Sequence, residues 1–267
     1  MKKKALVVGS HVSESLSPFI FNYWLKKYNI NAKYFFKEIK PENFKKEIEG
    51  VLNDQELLGF NVTIPFKELI KDKVCSLDKH STSIGAVNCV SNVNKKWVGK
   101  NTDWLGFYKS IENIVKNNNP NVAFVFGYGG ASKAILYTLN KLGIKKINVY
   151  NRTEAKIKEL DKKSGFSIIK YIDIPNLIES SDIIINTTPT NILKDVFSKK
   201  EQKNIFAFDI VYRPKETDFL SYFKKEKRIY GLSMLINQAA PCFEEWFGIK
   251  PIVDEGLYNL LDKKAQQ

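Results

Sequence analysis

The segment Gly127-Tyr128-Gly129-Gly130-Ala131-Ser132 restricts this fold more than any other. It joins the apolar run Asn121 to Phe126, which reads as a buried strand, to the amphipathic stretch Ala131 to Leu142, which reads as a helix. A glycine-rich turn between strand and helix is where a dinucleotide pyrophosphate can rest on free helix N–H groups. The first glycine permits the sharp turn and the second lets backbone approach the phosphates. Ser132 takes the last position of the GxGxxG pattern and is small enough for close packing. By itself such a turn also suits a connection without ligand, or another adenosine cofactor such as a methyl donor.

Ile147 to Tyr150 reads as the next strand, followed by Asn151-Arg152-Thr153 and a Lys/Glu-rich helix from Thr153 to Lys163. NAD enzymes usually carry Asp or Glu after this strand to hold the ribose 2′-hydroxyl. A guanidinium there instead suits a 2′-phosphate, so Arg152 favours NADP; the plainer alternative is a solvated arginine at a helix start. Further strands are expected at Ile168 to Tyr171, Ile183 to Asn186 and Ile205 to Ile210, with helices after Gly231.

A separate alternation of strands and helices precedes this one. It comprises a strand at Ala5 to Val8, a helix opened by Ser17-Pro18 to about Lys27, a strand near Lys33 to Phe36, and a helix after Pro41 ending by Gly50. Leu57 to Val62 is a strand, a short helix follows Pro65, and Ala86 to Ser91 with Trp97-Val98 forms a hairpin through Asn92 to Asn94. Asp103 to Val115 is a helix, broken at Asn117-Asn118-Asn119-Pro120. The expected fold is α/β and two-lobed, with a cleft: an N-terminal α/β domain plus a Rossmann-type dinucleotide-binding domain.

The 267 residues carry a formal charge of +13, from 42 Lys plus Arg against 29 Asp plus Glu. The lysines are dispersed, and only Arg152, Arg213 and Arg228 supply guanidinium groups, so a nucleic-acid reader is not expected. Cys75, Cys89 and Cys242 form no CxxC pair, and with His11 and His80 they suggest no metal site. No run is long enough for a membrane span, and the apolar run after Met1-Lys2-Lys3-Lys4 is too short for a secretion signal. A cytoplasmic location is expected.

Ser15-Leu16-Ser17-Pro18 precedes a helix, for which Ser17 can serve as N-cap. Asn61-Val62-Thr63-Ile64-Pro65-Phe66-Lys67 places a lysine just past a strand end, and Gly85-Ala86-Val87-Asn88 and Asn101-Thr102-Asp103 add polar groups at strand ends. Taken singly, each charge is as readily a solvated one. Together, and in order, these segments resemble the shikimate dehydrogenase family through its SxSP, NVTxPxK, GAVN, NTD, GxGGA, NRT and GxxMLxxQA stretches. The last is present as Gly231-Leu232-Ser233-Met234-Leu235-Ile236-Asn237-Gln238-Ala239, and Asp209 to Pro214 fits the DxxYxP stretch.

The resemblance implies reversible NADPH-dependent reduction of 3-dehydroshikimate to shikimate, in the route to chorismate and the aromatic amino acids. Alternatives are a quinate/shikimate dehydrogenase-like paralogue or a non-catalytic NADP-binding regulatory module. It implies that Ser15, Ser17 and Tyr212 hold the substrate carboxylate. Thr63, Asn88 and Gln238 would bind the ring or its hydroxyls, with Lys67 and Asp103 at the reacting oxygen. Gly127, Gly129, Gly130, Ala131, Ser132, Asn151, Arg152, Thr153 and Lys156 would surround the coenzyme phosphates and adenosine, with Thr187 near the nicotinamide ribose. Ile210, Gly231 and Met234 would lie beside the nicotinamide. Residues 1–103 and 237–267 would form the substrate-binding domain and 104–236 the NADP-binding one, in a monomer or homodimer without a metal. The chain departs from the family's usual pattern at Phe21, where histidine is common, at Trp104, and at Thr188-Pro189-Thr190-Asn191, which lacks a glycine. Lys67 is the expected proton donor, because negative charge develops on a ketone oxygen as hydride reaches its carbon, and Asp103 would orient it.

Overall fold

β1 (Lys3–Gly9) runs parallel to both β2 (Ala32–Glu38) and β3 (Leu57–Val62). The connections are the helices α1 (Ser17–Lys27) and α2 (Phe44–Leu52), the latter entered through a 3-10 turn at Pro41–Asn43. The computed structural model describes residues 3–161, 165–197 and 203–266. After β3 come β4 (Ser76–Leu77), α3 (Lys79–Ile84), β5 (Cys89–Val93) and β6 (Lys96–Lys100), completing a mixed sheet of order β2-β1-β3-β5-β6-β4.

Side chains alternate across this sheet, and each face has its own cover. Leu6, Val8, Phe60, Val62 and Val90 pack with Phe44, Ile48, Val51 and Phe66. On the opposite face, Phe21 of α1 stacks on Tyr34 at 4.0 Å between ring centroids, and Trp246 stacks on Phe21 at 5.4 Å. Trp246 lies in the long helix α9, Gly231–Phe247, whose indole N–H donates to Ser91 Oγ at 3.0 Å. Gly59 is required beneath it, because a Cβ there would stand 2.1 Å from Trp246 Nε1.

The second set of elements begins with α4 (Asp103–Asn118) and β7 (Val122–Phe126). It continues through α5 (Gly130–Lys141), β8 (Lys146–Tyr150), α6 (Glu154–Asp161), β9 (Ser167–Ile168) and α7 (Ile174–Glu179). β10 (Ile183–Asn186), α8 (Leu193–Val196), β11 (Phe206–Asp209) and β12 (Arg228–Tyr230) complete it. Its sheet is parallel throughout, in the order β12-β11-β10-β7-β8-β9. Counted from β7 this is the 3-2-1-4-5-6 arrangement of doubly wound nucleotide-binding sheets. Ala123, Val125, Ile183 and Ile185 enter one core with α4 and α5, while Phe124, Phe126 and Ile184 enter another with α7 and α8. Burial on both faces explains why these strands read as unbroken apolar runs.

The chain divides into two compact units, residues 1–103 with 235–264, and residues 104–234 with 265–267. α10 (Glu255–Ala265) closes the chain. Among the described residues, no helix is long and apolar enough to cross a membrane.

Several elements differ from the sequence reading. Ser17 is not a side-chain cap: Leu16 takes the N-cap position, and the Ser15 hydroxyl accepts the Ser17 N–H at 3.2 Å. The hairpin strand starts at Cys89 rather than Ala86 and turns at Asn94-Lys95, whose φ values of 51° and 63° suit a tight two-residue connection. α4 continues to Asn118, and the break comes at Asn119, with φ 44°. Tyr171 belongs to a 3-10 turn instead of a strand, and the segment after Pro65 makes a 3-10 turn at Leu69–Lys73. The end of the helix expected to reach Lys163 lies outside the described residues. β4 and α3 were not foreseen. Polar Lys79-His80-Ser81-Thr82-Ser83 carries no apolar period, and α3 is instead held by Asp78 capping Ser81 N–H at 2.7 Å and by left-handed Gly85.

Candidate active site

In β3, Phe60 and Val62 point into one core, which turns Asn61 to the α9 side. Past the strand, Phe66 N–H donates to Thr63 O at 2.9 Å, so the chain folds back and brings Lys67 beside the next polar stretch. Val87 N–H donates to Lys67 O at 2.7 Å, and Asn101 Nδ2 donates to Ala86 O at 2.9 Å, tying three motifs together.

Lys67 Nζ then donates to Asp103 Oδ2 at 2.6 Å, with side chains 15% and 5% exposed. The other carboxylate oxygen, Oδ1, accepts from Asn88 Nδ2 at 3.0 Å, and the same amide nitrogen reaches Gln238 Oε1 at 2.9 Å and Thr102 Oγ1 at 2.8 Å. Asn88 is oriented by the Thr102 N–H, which donates to its Oδ1 at 2.6 Å, and the Gln238 amide by its Nε2, which donates to Leu235 O at 2.9 Å. Lys67, Asn88, Asp103 and Gln238 are thus brought into one hydrogen-bonded cluster from four separate motifs. An ammonium against a mostly buried carboxylate is a charge-assisted pair able to hold and deliver a proton.

Ser15 and Ser17 sit at the start of α1, on a loop pinned by Glu38 of β2. The Glu38 carboxylate accepts from Val12 N–H, Ser13 N–H and the Ser13 hydroxyl at 2.8–2.9 Å, and these bonds hold it below the usual carboxylate range. Thr63 follows β3, its N–H on Val8 O at 2.9 Å. Tyr212 belongs to the second unit, half-buried on the segment after β11.

The remaining residues singled out in the sequence all lie in that second unit, mostly at the carboxyl ends of its parallel strands. Gly127 follows β7 and Thr187 follows β10, the neighbouring strands where the sheet's order reverses, and ligands of such sheets bind at that point. Gly127 has φ 101°, and a Cβ on it would stand 2.4 Å from Thr187 Oγ1. Gly129 is exposed, and a Cβ there would meet nothing within 4 Å, leaving open space before the first turn of α5, which has no side-chain cap at its N-cap Gly129. Those free N–H groups and that space fit a dinucleotide pyrophosphate. Ser132 Oγ donates to Gly127 O at 2.7 Å, closing the turn from beneath.

Asn151, Arg152 and Thr153 follow β8, with Asn151 Nδ2 on Thr153 O at 3.1 Å and Arg152 exposed. In α6, burial works against the Glu159 carboxylate, yet Lys133 at 2.5 Å and Lys156 at 3.4 Å outweigh it and hold its pKa down. Gly231 begins α9 hard against Ile210, whose carbonyl oxygen would lie 2.5 Å from a Cβ, and Met234 is buried one turn on. Asp209, at the end of β11, accepts from Asn186 Nδ2 and Val211 N–H at 3.0 Å and from Thr217 Oγ1 at 2.7 Å. Burial raises its pKa to about 6 despite those bonds.

Each unit contains a segment that matches a known family model. Residues 7–90 match the shikimate dehydrogenase substrate binding domain, and residues 109–218 match the shikimate/quinate 5-dehydrogenase family. The shikimate dehydrogenase (NADP(+)) of Pelagibacter ubique is 36% identical over 98% of this chain and all of its own length. The chain belongs to the shikimate dehydrogenase family.

A Methanococcus vannielii member is 38% identical, with 96% of each chain covered. Among solved structures, the shikimate dehydrogenase of Aquifex aeolicus superposes with a TM-score of 0.85 at 34% identity, covering 100% of this chain and 98% of its own. The Thermus thermophilus enzyme, solved in complex with NADP(H) and shikimate, gives 0.80 at 26% identity, covering 98% and 99%.

Within this family pattern, Phe21 fills the core behind Tyr34, whose hydroxyl donates to Asn61 Oδ1 at 2.7 Å. Trp104 packs edge-on to Tyr137 at 6.1 Å. The Thr188 hydroxyl of the glycine-free loop contacts Asn186 Oδ1 and Thr190 O, both at 2.8 Å. Thr102, Asn61 and Cys242 carried no role in the sequence reading. The signal for Asn61 was present, since a polar residue alternating with Phe60 and Val62 in a buried strand needs partners of its own.

Proposed function

We propose that this chain catalyses the reversible NADPH-dependent reduction of 3-dehydroshikimate to shikimate. The observation that carries the proposal is the Lys67–Asp103 contact within a buried cluster completed by Asn88 and Gln238. NADPH supplies the hydride. The developing oxyanion needs a proton and a positive charge, and the Lys67 ammonium provides both in reduction; in oxidation its neutral amine takes the proton back. Asp103 holds Lys67 in place and offers carboxylate oxygen to a neighbouring substrate hydroxyl. Asn88, Gln238 and Thr63 bind ring hydroxyls, while Ser15, Ser17 and Tyr212 bind the carboxylate.

Gly127, Gly129, Gly130, Ala131 and Ser132 seat the pyrophosphate. Asn151, Arg152, Thr153 and Lys156 hold the adenosine and its 2′-phosphate, with Thr187, Ile210, Gly231 and Met234 at the nicotinamide end. The protein works in the cytoplasm, as a monomer or homodimer; its described cysteines are all free. Residues 1–103 with 237–267 serve the substrate, and 104–236 serve the coenzyme.

The test is absorbance at the reduced-nicotinamide band with shikimate or quinate and either oxidised coenzyme. Turnover with shikimate and NADP is expected. No turnover with that pair would overturn the proposal.

A further inference from the structure

Cys242 of α9 lies directly behind the cluster, and its hydrogen bonds determine how many donors the cluster holds. Its thiol has one proton, and the sulfur stands 3.4 Å from an acceptor, Gln238 O, one turn earlier in the helix. With that proton on Gln238 O, sulfur accepts from its other neighbours, among them Asn61 Nδ2 at 3.3 Å, the Thr102 hydroxyl at 3.4 Å and the Cys89 thiol. Asn88 Nδ2 can only donate to the Thr102 hydroxyl, which therefore accepts there and has sulfur as the acceptor for its own proton.

Asn88 cannot be flipped, because its Oδ1 takes the Thr102 N–H. Its Nδ2 carries two hydrogens but stands within 3.0 Å of three acceptors: Thr102 Oγ1, Asp103 Oδ1 and Gln238 Oε1. Once Thr102 engages one hydrogen, Asp103 and Gln238 share the other. Two acceptors served by one donor leave acceptor capacity open in a buried place, and a ligand hydroxyl can fill it.

We infer that Thr102 and Cys242 are positioning residues that keep one Asn88 N–H off Asp103 and Gln238, so that the site stays short of donors and selects a ligand that donates hydroxyl hydrogens. Neither residue touches substrate; each acts through Asn88. The inference rests on the function proposed above, with shikimate as the hydroxyl-bearing ligand.

Thr102→Val keeps the shape but removes the competing oxygen. Asn88 can then serve Asp103 and Gln238 with one hydrogen each, and the ligand hydroxyl loses its opening. The KM for shikimate is expected to rise about tenfold, the lower end for a hydrogen bond to a charged group. Affinity for NADPH should stay within about twofold, and Thr102→Ser should recover most of the loss. Cys242→Ala removes the acceptor for the Thr102 proton and is expected to raise KM about threefold, with Cys242→Ser recovering it. NADPH binding by fluorescence and the melting temperature, measured on every variant, show that each is folded.

An unchanged shikimate KM in folded Thr102→Val would overturn the inference alone. So would Thr102→Ser or Cys242→Ser being as impaired as the apolar variants, because packing rather than hydrogen-bond count would then be at work. Absence of wild-type turnover with shikimate would overturn the proposed function and this inference with it.

Discussion

Lys67 and Asp103, 36 positions apart in the chain, meet at 2.6 Å from Nζ to Oδ2, with the carboxylate almost wholly withdrawn from solvent. The pair depends on backbone bonds rather than on chance proximity. Val87 N–H holds the carbonyl of Lys67, and Asn88 holds both the Thr102 backbone and the second oxygen of Asp103.

Replacing Lys67 by Met preserves the aliphatic stem and removes the ammonium. Turnover is expected to fall by about a hundredfold or more, the usual effect of losing a positioned acid. NADPH affinity, read by fluorescence titration, should change by less than about twofold, because the proposed coenzyme residues lie elsewhere in the chain. Near-normal turnover would remove Lys67 from the mechanism.

Arg152→Ala addresses the coenzyme. A charge-assisted bond to the 2′-phosphate is worth about 1.5–3 kcal/mol, so the KM for NADPH should rise at least about tenfold. NADH lacks that phosphate, and its KM should hardly move. Parallel titrations decide the matter: equal changes for both coenzymes would assign Arg152 to general stability instead.

The parts of the structure legible in the sequence are those with one-dimensional signals. β3 and β10 stand out as apolar runs bounded by polar turns, and the Gly127 turn is fixed by its place between β7 and α5. The polar cluster could be approached only through family likeness, because Lys67, Asn88, Asp103 and Gln238 come from distant segments and no local period joins them. Cys242 was invisible for a different reason. A cysteine in an apolar helix looks like core, and its side-chain bonds, to Asn61 and Thr102 among others, separate it from Phe243 beside it. α3 escaped because a polar six-residue helix is stabilised by capping rather than by an apolar face.

Gly127 and Gly129 can be separated by experiment. Gly127→Ala places a methyl group 2.4 Å from Thr187 Oγ1 at a φ of 101°, so it should destabilise the fold by about 1–3 kcal/mol. At Gly129 the added methyl meets nothing within 4 Å and the backbone is extended, so Gly129→Ala should melt near the wild-type temperature. The same methyl occupies space proposed for the pyrophosphate, and NADPH affinity should fall about tenfold or more. Wild-type affinity in Gly129→Ala would place the phosphates elsewhere.

Asp209 gives the protein a pH-dependent weakness whose sign follows from burial. The residue is 1% exposed, and desolvation raises its pKa from an ordinary 3.8 to about 6. The folded state therefore holds this proton more tightly than the unfolded chain does. The resulting stabilisation is fully present below pH 3.8 and is lost as pH rises through about 6. Across that window the loss amounts to about 3 kcal/mol, since each pKa unit corresponds to about 1.4 kcal/mol. Asp209→Asn can still accept from Asn186 and Val211 through its oxygen and can donate to Thr217, but it does not titrate. Relative to wild type, the variant should gain unfolding free energy steadily between pH 4 and 7 and then level off. Glu112 and Asp254, both held down to about 2 by lysine and other hydrogen-bond partners, lose their contributions as pH falls from their ordinary 4.5 and 3.8 toward 2, and cancel in the comparison. Urea titrations at four pH values across that range measure the difference directly, and a flat difference would mean that Asp209 is charged throughout.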